Sequence, residues 1–379
     1  MDFALVIEWL VKGFVWVLVL LGGFAYLTLY ERRALARIQV RIGPNRAGWQ
    51  GILQPIADAI KLIFKEELMP AQADKLIFFL APVVTLVPAL VITAVLPWGP
   101  KPIHLFGREI TWYIADINVG VLYIMSVTSI AVYGIVLAGW SSNNKYAMMG
   151  GLRSSAQMVS YEIALGLSFV SAILLAGSMR MINIVEAQKT LWFVLLQPVG
   201  TAIFLIATLA EVNRAPFDMP EAEQELTAGY HVEYSGMKFA LIFMAEYDKM
   251  IAISAIGATL FFGGYQGPDL SGIPLIGGIM SYVQGPMYMF LKIVILLFGM
   301  IWVRATFPRI RYDRLMAFGW KVLLPLSLAV VFITATGIIL AQQFGAWLIW
   351  LIPLFSLLAG IVAIAGMYRT LRRKEYARA

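Results

Sequence analysis

Four ionisable residues, Glu162, Glu246, Asp248 and Lys249, fall inside runs that are otherwise apolar, and Glu211 closes another such run. A charge held at the centre of a lipid bilayer costs about 2.5–3.5 kcal/mol on insertion scales, so such groups face a protein interior or a wet cavity. Two uses are open to them. They can hold helices together as buried ion pairs, or they can carry protons, because a carboxylate withdrawn from water can take and release a proton near neutral pH. Asp248 and Lys249 are adjacent and point in different directions, so each needs its own partner. Glu246 and Lys249 stand three apart, the spacing of a pair on one helix face. Tyr161 and Tyr247 each sit beside a glutamate and can extend a hydrogen-bond chain.

A second concentration of acids lies between residues 211 and 233. Glu211, Asp218, Glu221, Glu223, Glu225 and Glu233 are six of the chain's 22 acidic residues, against Arg214 and His231. Crowded carboxylates titrate as a set, so a charge change nearby shifts their protonation together. Acidic stretches are often just solvated faces. This one also carries Pro216, Phe217, Met219, Pro220, Leu226 and Tyr230, a mixture that suits a folded loop packed on a partner.

Other chemistry is excluded. The chain has no cysteine, so it can neither hold an iron–sulfur cluster through thiolates nor form a disulfide. Its two histidines, His104 and His231, both fall in expected loops, which argues against a haem held by two histidines at one depth. Any electrons handled here travel through a partner or a diffusible carrier.

The elements that must position these groups are membrane helices. Sixty per cent of the 379 residues are hydrophobic and 13% are charged, with a mean hydropathy of +0.80. Apolar runs long enough to span a bilayer recur along the whole chain. The expected fold is all-α: a polytopic transmembrane helix bundle with about nine spans, over residues 9–30, 76–96, 117–140, 156–178, 191–211, 238–262, 286–306, 320–341 and 345–367, forming a single membrane domain over 1–379. Asp2 and Glu8 replace the basic start of a signal peptide, and the first run meets Glu31-Arg32-Arg33 without a small-residue cleavage site, so it reads as an uncleaved first helix. With the N-terminus outside, 22 of the 29 Lys and Arg residues fall on the cytoplasmic side, as the positive-inside rule expects. These include the basic tail that follows the last helix, within 345–379. The net charge of +7 thus reflects topology and contact with anionic lipid, without any need for nucleic acid. On this topology Lys292 lies nearer the outer side and can snorkel to the interface.

Between residues 51 and 65 the pattern changes. Ile52, Leu53, Ile56, Ile60, Ile63 and Phe64 fall on one helical face, and Gln54, Asp58, Lys61 and Lys65 on the other. Such a segment is too short to span and suits a helix lying in the interface. It either anchors the loop or frames an opening to lipid. Asp58 and Lys61 are spaced to pair. The preceding Arg41-Ile42-Gly43-Pro44-Asn45-Arg46 sequence forms a tight basic turn.

At these residues the chain resembles the H-subunit family of respiratory complex I, the proton-pumping NADH:quinone oxidoreductases. The resemblance is carried by Glu31-Arg32-Arg33 with Gln39 to Arg46, by Ala57-Asp58-Ala59-Ile60-Lys61, by Ser160-Tyr161-Glu162, by Glu211 to Glu225, by Glu233-Tyr234-Ser235-Gly236, by Glu246-Tyr247 and by Trp302 to Asp313. Each block is weak alone; their order and spacing are specific. The resemblance implies eight shared helices, with a ninth in some bacterial members, in an inner-membrane subunit joining the membrane arm to the hydrophilic arm. It implies a quinone route lined by Glu31, Arg32, Asp58 and Lys61, with Arg41 and Phe217. It implies a proton path with Glu211, Glu221, Glu223 and Glu225 at its cytoplasmic end and Glu162, Glu246 and Asp248 within the membrane. Quinone is then a substrate, no cofactor is bound covalently, and FMN and the iron–sulfur clusters belong to partner subunits. The partners would be hydrophilic-arm subunits carrying the quinone headgroup site and terminal cluster, small membrane subunits and antiporter-like subunits. After Glu246-Tyr247 a small residue and an amide are expected; this chain has Asp248-Lys249.

The resulting expectation is a membrane subunit that couples quinone reduction to proton translocation. A sister subunit of a membrane-bound hydrogenase, or of a dehydrogenase using another donor, would share most of these features. An independent transporter would call for an internal repeat, and none is evident. A pure membrane anchor leaves the intramembrane acids without a role.

Overall fold

The structure is a computed structural model that describes residues 3–100, 102–105, 108–219, 229–270 and 277–376. Its helices are α1 Phe3–Ile38, α2 Gln54–Ile63, α3 Lys75–Ile92, α4 Gly120–Ser141, α5 Lys145–Ala176, α6 Met181–Ala187, α7 Phe193–Leu196, α8 Pro198–Glu211, α9 Gly236–Phe261, α10 Gly277–Thr306, α11 Tyr312–Phe318, α12 Leu324–Phe344 and α13 Leu351–Tyr376. A small antiparallel hairpin, β1 Ile103–Leu105 with β2 Arg108–Ile110, lies between α3 and α4 and pairs Ile103 with Ile110.

Seven helical stretches among the described residues are long and apolar enough to cross a membrane. They begin at Ile7, Lys75, Gly120, Lys145, Tyr282, Tyr312 and Trp347. The other two expected spans differ in kind. α9 has 26 residues, ample length, but it carries Lys238, Glu246, Asp248 and Lys249. The expected 191–211 span is broken at Gln197, whose backbone leaves the helical region just before Pro198. Proline disfavours a helical residue ahead of it, so α7 stops and the 14-residue α8 starts afresh. With these two, the nine expected spans are accounted for. Several boundaries move, two of them on helices that carry site residues. α1 continues eight residues beyond the expected end at 30, to Ile38. α5 begins at Lys145, where Asn144 accepts a hydrogen bond from the Tyr146 amide and caps the helix.

The helices contact one another in a chain: α3 lies against α4 and α9, α4 against α5, α5 against α8 and α12, and α9 against α10 and α1. Small residues permit the closest crossings. A Cβ on Gly134 of α4 would stand 2.8 Å from the Thr85 amide nitrogen of α3. One on Gly150 of α5 would stand 2.6 Å from the Gly229 Cα. α1 and α13 keep broad apolar faces exposed, including Phe14, Leu18, Ile361 and Ile364. Together these features make the chain a multi-pass membrane protein.

Pro82 inside α3 has no amide hydrogen and leaves the Phe78 carbonyl without its helical donor. The Tyr234 hydroxyl donates to that carbonyl at 3.3 Å, and its ring stacks on Phe78 with centroids 4.1 Å apart. Burial pushes the Tyr234 phenol up to about 12, so it stays a donor at any physiological pH. This contact pins the segment before α9.

Candidate functional site

Four consecutive residues of α9 carry the candidate site. Successive side chains on a helix turn by about 100°, so Glu246, Tyr247, Asp248 and Lys249 address different neighbours.

Tyr247 faces a buried charge hub. Glu31 of α1 is 3% exposed. It is ion-paired with Arg304 of α10, and Arg214, from the turn after α8, approaches it to 3.5 Å. The Arg214 guanidinium lies 4.3 Å from the centre of the Tyr247 ring, a cation–π distance. One carboxylate therefore ties together α1, α9, α10 and the turn after α8.

Lys249 and Glu246 face a second cluster. The Lys249 ammonium donates to Glu211 Oε1 at 2.6 Å. The Tyr230 hydroxyl, from the loop before α9, donates to Glu246 Oε1 at 2.9 Å. Glu211, Glu246, Lys249, Tyr230, Asn213 and Thr85 line one cavity of about 30 Å³. About 10–15 Å³ suffices for one water molecule. Glu211 Oε2 is buried with no hydrogen-bond partner among the described residues. Glu162 of α5 accepts from Ser129 of α4 and lies within electrostatic range of Glu211. The acids thus run from α4–α5 through α8 to α9.

Asp248 points elsewhere. It is fully buried, and neither carboxylate oxygen has a hydrogen-bond partner among the described residues.

The local folding that sets these positions is visible. After α8 the chain makes a tight turn in which Asn213 takes a positive φ of 52° and the Arg214 amide donates to Leu209 O. Gln157 of α5, completely buried, holds that turn: its side-chain amide donates to Ala210 O and Phe217 O, each at 2.8 Å. Glu211 and Arg214, three residues apart, are thereby aimed at the two clusters. Tyr230 is seated where Gly150 and Gly229 let α5 and the loop backbone touch.

At the α2 end, Arg32 and Asp58 form a partly exposed salt bridge at 2.8 Å, and Gln54 donates to the other Asp58 oxygen at 3.0 Å. Lys61 and Arg41 are exposed. The outward face of α2 is apolar, with Ile56, Ile60, Ile63 and Phe64 exposed, as an interfacial helix requires.

The structure brings Arg32 and Asp58 together, and separately Glu211, Glu246 and, nearby, Glu162. It buries Glu31 in the hub and Phe217 against Tyr161, with ring centroids 5.6 Å apart. Glu221, Glu223 and Glu225 lie outside the described residues. Several expected pairs are replaced by longer-range ones. Asp58 pairs with Arg32 instead of Lys61, and Lys249 with Glu211 instead of Glu246. Tyr161 donates to the Leu315 carbonyl at 2.9 Å, so it extends no chain from Glu162. Lys292 turns to the Gly264 and Gln266 carbonyls, at 2.8 and 2.6 Å. Sequence reading missed Gln157, Ser129 and the hub role of Arg304. A buried amide in an apolar helix was the available signal for Gln157; nothing local marked the other two.

The profile of a family described as NADH dehydrogenase matches residues 11–335. The H subunit of NADH-quinone oxidoreductase from Deinococcus deserti is 50% identical over 96% of this chain and 91% of its own length. The Thermomicrobium roseum protein of the same name is 48% identical over 90% of this chain and 98% of its own. Its counterpart in Syntrophotalea carbinolica, again of that name, is 48% identical over 86% and 92%. With the family's extent covering most of the sequence, and with an ionisable site threaded through its helices, this chain belongs to the NADH dehydrogenase family.

Proposed function

We propose that this chain is the membrane subunit of a complex I-type NADH:quinone oxidoreductase, that it forms the membrane part of the quinone chamber, and that it couples quinone reduction to proton translocation. The observation that carries this reading is the four-residue run Glu246 to Lys249. It joins a charge hub near the α1–α2 surface to a set of intramembrane carboxylates. Reducing a quinone with two electrons consumes two protons. A proton drawn, or a charge placed, near Arg32 and Asp58 acts first on the hub at the neighbouring Glu31. From there it acts through Arg214 and Tyr247 on Glu211, Lys249 and Glu246, and then on Glu162. In this reading Arg41 and Lys61 give the quinone route its positive mouth. Phe217 backs the turn that holds Arg214, and Asp248 adds a further buried carboxyl beside the path.

Quinone is the substrate. FMN and iron–sulfur clusters sit on partner subunits, in keeping with a chain that lacks cysteine. Those partners are hydrophilic-arm subunits at the α2 end, and small membrane subunits and antiporter-like subunits against the exposed apolar faces. The charge bias supports an orientation in the cell (inner) membrane with the N-terminus outside and the C-terminus cytoplasmic, and the chain works as a single membrane domain.

The test is affinity purification of the tagged chain from native membranes, followed by mass spectrometry and an NADH:quinone assay. Co-purification with iron–sulfur and antiporter-like subunits and inhibitor-sensitive quinone reduction is the expected result. A nickel-hydrogenase partner, or a solitary chain, would overturn it.

A further inference from the structure

α2 is weakly held by its own packing. Of its ten residues only Pro55 is buried, and Ile56, Ile60 and Ile63 face outward. Burial against the rest of the chain is therefore too small to fix where the helix lies. Contacts at its two ends do so. Arg32 holds its first half through Asp58. The stretch after Ile63 is tied to the start of α9.

Two residues of that start depart from ordinary helix chemistry. Ser235 is the N-cap of α9, where a hydroxyl normally accepts from its own helix, but it makes no such bond. It accepts instead from the Leu68 amide at 2.9 Å and donates to the Glu66 carbonyl at 3.3 Å. Lys238 lies in the first turn, where the helix dipole disfavours a cation. Its ammonium is 2.9 Å from Glu67 Oε2, and its side chain is 9% exposed against 42% for Glu67. The same ammonium stands 3.9 Å from the centre of the Phe79 ring of α3, a cation–π distance. Between the two, Gly236 has a φ of 57°. A Cβ there would stand 3.1 Å from Glu67 Cγ and 3.3 Å from the Lys65 carbonyl oxygen, so glycine lets the segments meet. Both departures serve the same stretch, residues 65–68. Local preferences set aside together at one place are expected where function shapes the structure.

We propose that Ser235 and Lys238 are positioning residues for quinone entry: they clamp the far end of α2 and so set the path by which the isoprenoid tail of a membrane quinone enters beside α1. This inference rests on the quinone-chamber reading above. The clamp acts on the tail, because the exposed side chains it places, Ile56, Ile60, Ile63 and Phe64, are apolar. A quinone with a short tail depends little on that face.

The experiment uses the intact complex in proteoliposomes. KM and kcat are measured for a long-tail quinone and for a short-tail analogue, beside subunit co-purification. Lys238→Met keeps the length of the side chain and its packing on Phe79, and leaves Glu67 to water. We expect it to assemble and to raise the KM for the long-tail quinone several-fold, with kcat and the short-tail KM close to wild type. Lys238→Arg retains the charge and the pair with Glu67, and should keep the wild-type KM. Ser235→Ala changes no charge and should raise the long-tail KM by a smaller factor. A purely structural contact predicts a lower yield or kcat with both quinones and no split between them, and that result overturns the proposal. So do wild-type KM values in both Lys238→Met and Ser235→Ala, or failure of both to assemble. If Lys238→Met alone fails to assemble, Ser235→Ala decides: a raised long-tail KM supports the clamp and an unchanged one overturns it. If the wild-type complex reduces neither quinone, the chamber reading fails and takes the clamp with it, a failure seen before any variant is compared.

Discussion

The two charge clusters flank the same turn of α9 and are built on opposite principles. The hub sets one carboxylate, Glu31, against two guanidiniums, Arg214 and Arg304. The cavity sets two carboxylates against one ammonium. In the hub the acid meets two planar, permanently charged guanidiniums, so a charge change nearby reaches it as a field and no added proton is needed to balance the pair count. In the cavity two carboxylates lie beside one flexible ammonium, which holds Glu211. Planar cations closed around one acid suit a staple; acids gathered on a cavity beside a flexible cation suit a carrier. The same helix supplies both because adjacent residues face different neighbours.

The sharpest way to break this contrast is at the hub. Glu31→Gln takes away the carboxylate that two arginines share, and Arg214 is 3% exposed. Removing one partner from a buried ion pair destabilises by about 3–5 kcal/mol. The expected outcome is loss of assembled complex, read as the yield of co-purified subunits and a lowered unfolding temperature. If Glu31→Gln assembles normally but fails to pump, Glu31 is a carrier and the contrast collapses.

The cavity should respond the other way. Glu246→Gln and Glu162→Gln are nearly isosteric and keep a hydrogen-bonding side chain, so the complex should form at wild-type yield. Proton movement per NADH, and quinone turnover coupled to it, should fall at least tenfold, measured by vesicle acidification. Normal pumping in both variants would remove the proton path from these residues.

Much of this is legible in the amino-acid sequence. Span length and hydropathy located the membrane helices, because lipid forces every backbone group into helical hydrogen bonds and demands apolar side chains outside. The broken 191–211 span escaped because an apolar window averages across Gln197, although Pro198 marked the break. The early start of α5 is hidden because Lys145, Arg153, Ser154 and Ser155 dilute the apolar signal in its first turns. For the site, residue types were readable and partners were not. Spacing within a helix offered Asp58 to Lys61 and Glu246 to Lys249, yet Arg32 and Glu211 take those roles. Pairing three apart is worth only about 0.2–0.5 kcal/mol. A contact made across packed helices overrides it, and no one-dimensional pattern shows which helices touch.

A smaller effect sharpens the link between loop and cavity. Tyr230→Phe removes the hydroxyl that donates to Glu246 at 2.9 Å and leaves the buried ring in place. Glu246 then loses one of the contacts that orient it. Pumping should fall a few-fold with assembly unchanged. An effect as large as that of Glu246→Gln would mean that the phenol itself passes the proton.

The smallest stability effect belongs at the α2 surface, and its size is the argument. Arg32 and Asp58 form a salt bridge as short as many buried ones, but their side chains are 50% and 33% exposed. Water screens such a pair, and its contribution is about 0–1 kcal/mol. Asp58→Asn should therefore leave the yield of complex and its unfolding temperature close to wild type, in direct contrast to Glu31→Gln one residue away from Arg32. Any consequence should appear instead in the KM for quinone, because the pair sits beside the apolar face of α2 where a lipid-soluble substrate would arrive. A raised KM with unchanged stability assigns Arg32 and Asp58 to the route and Glu31 to the frame. A large loss of stability would extend the staple outward to the surface and leave the route to be sought elsewhere on α1.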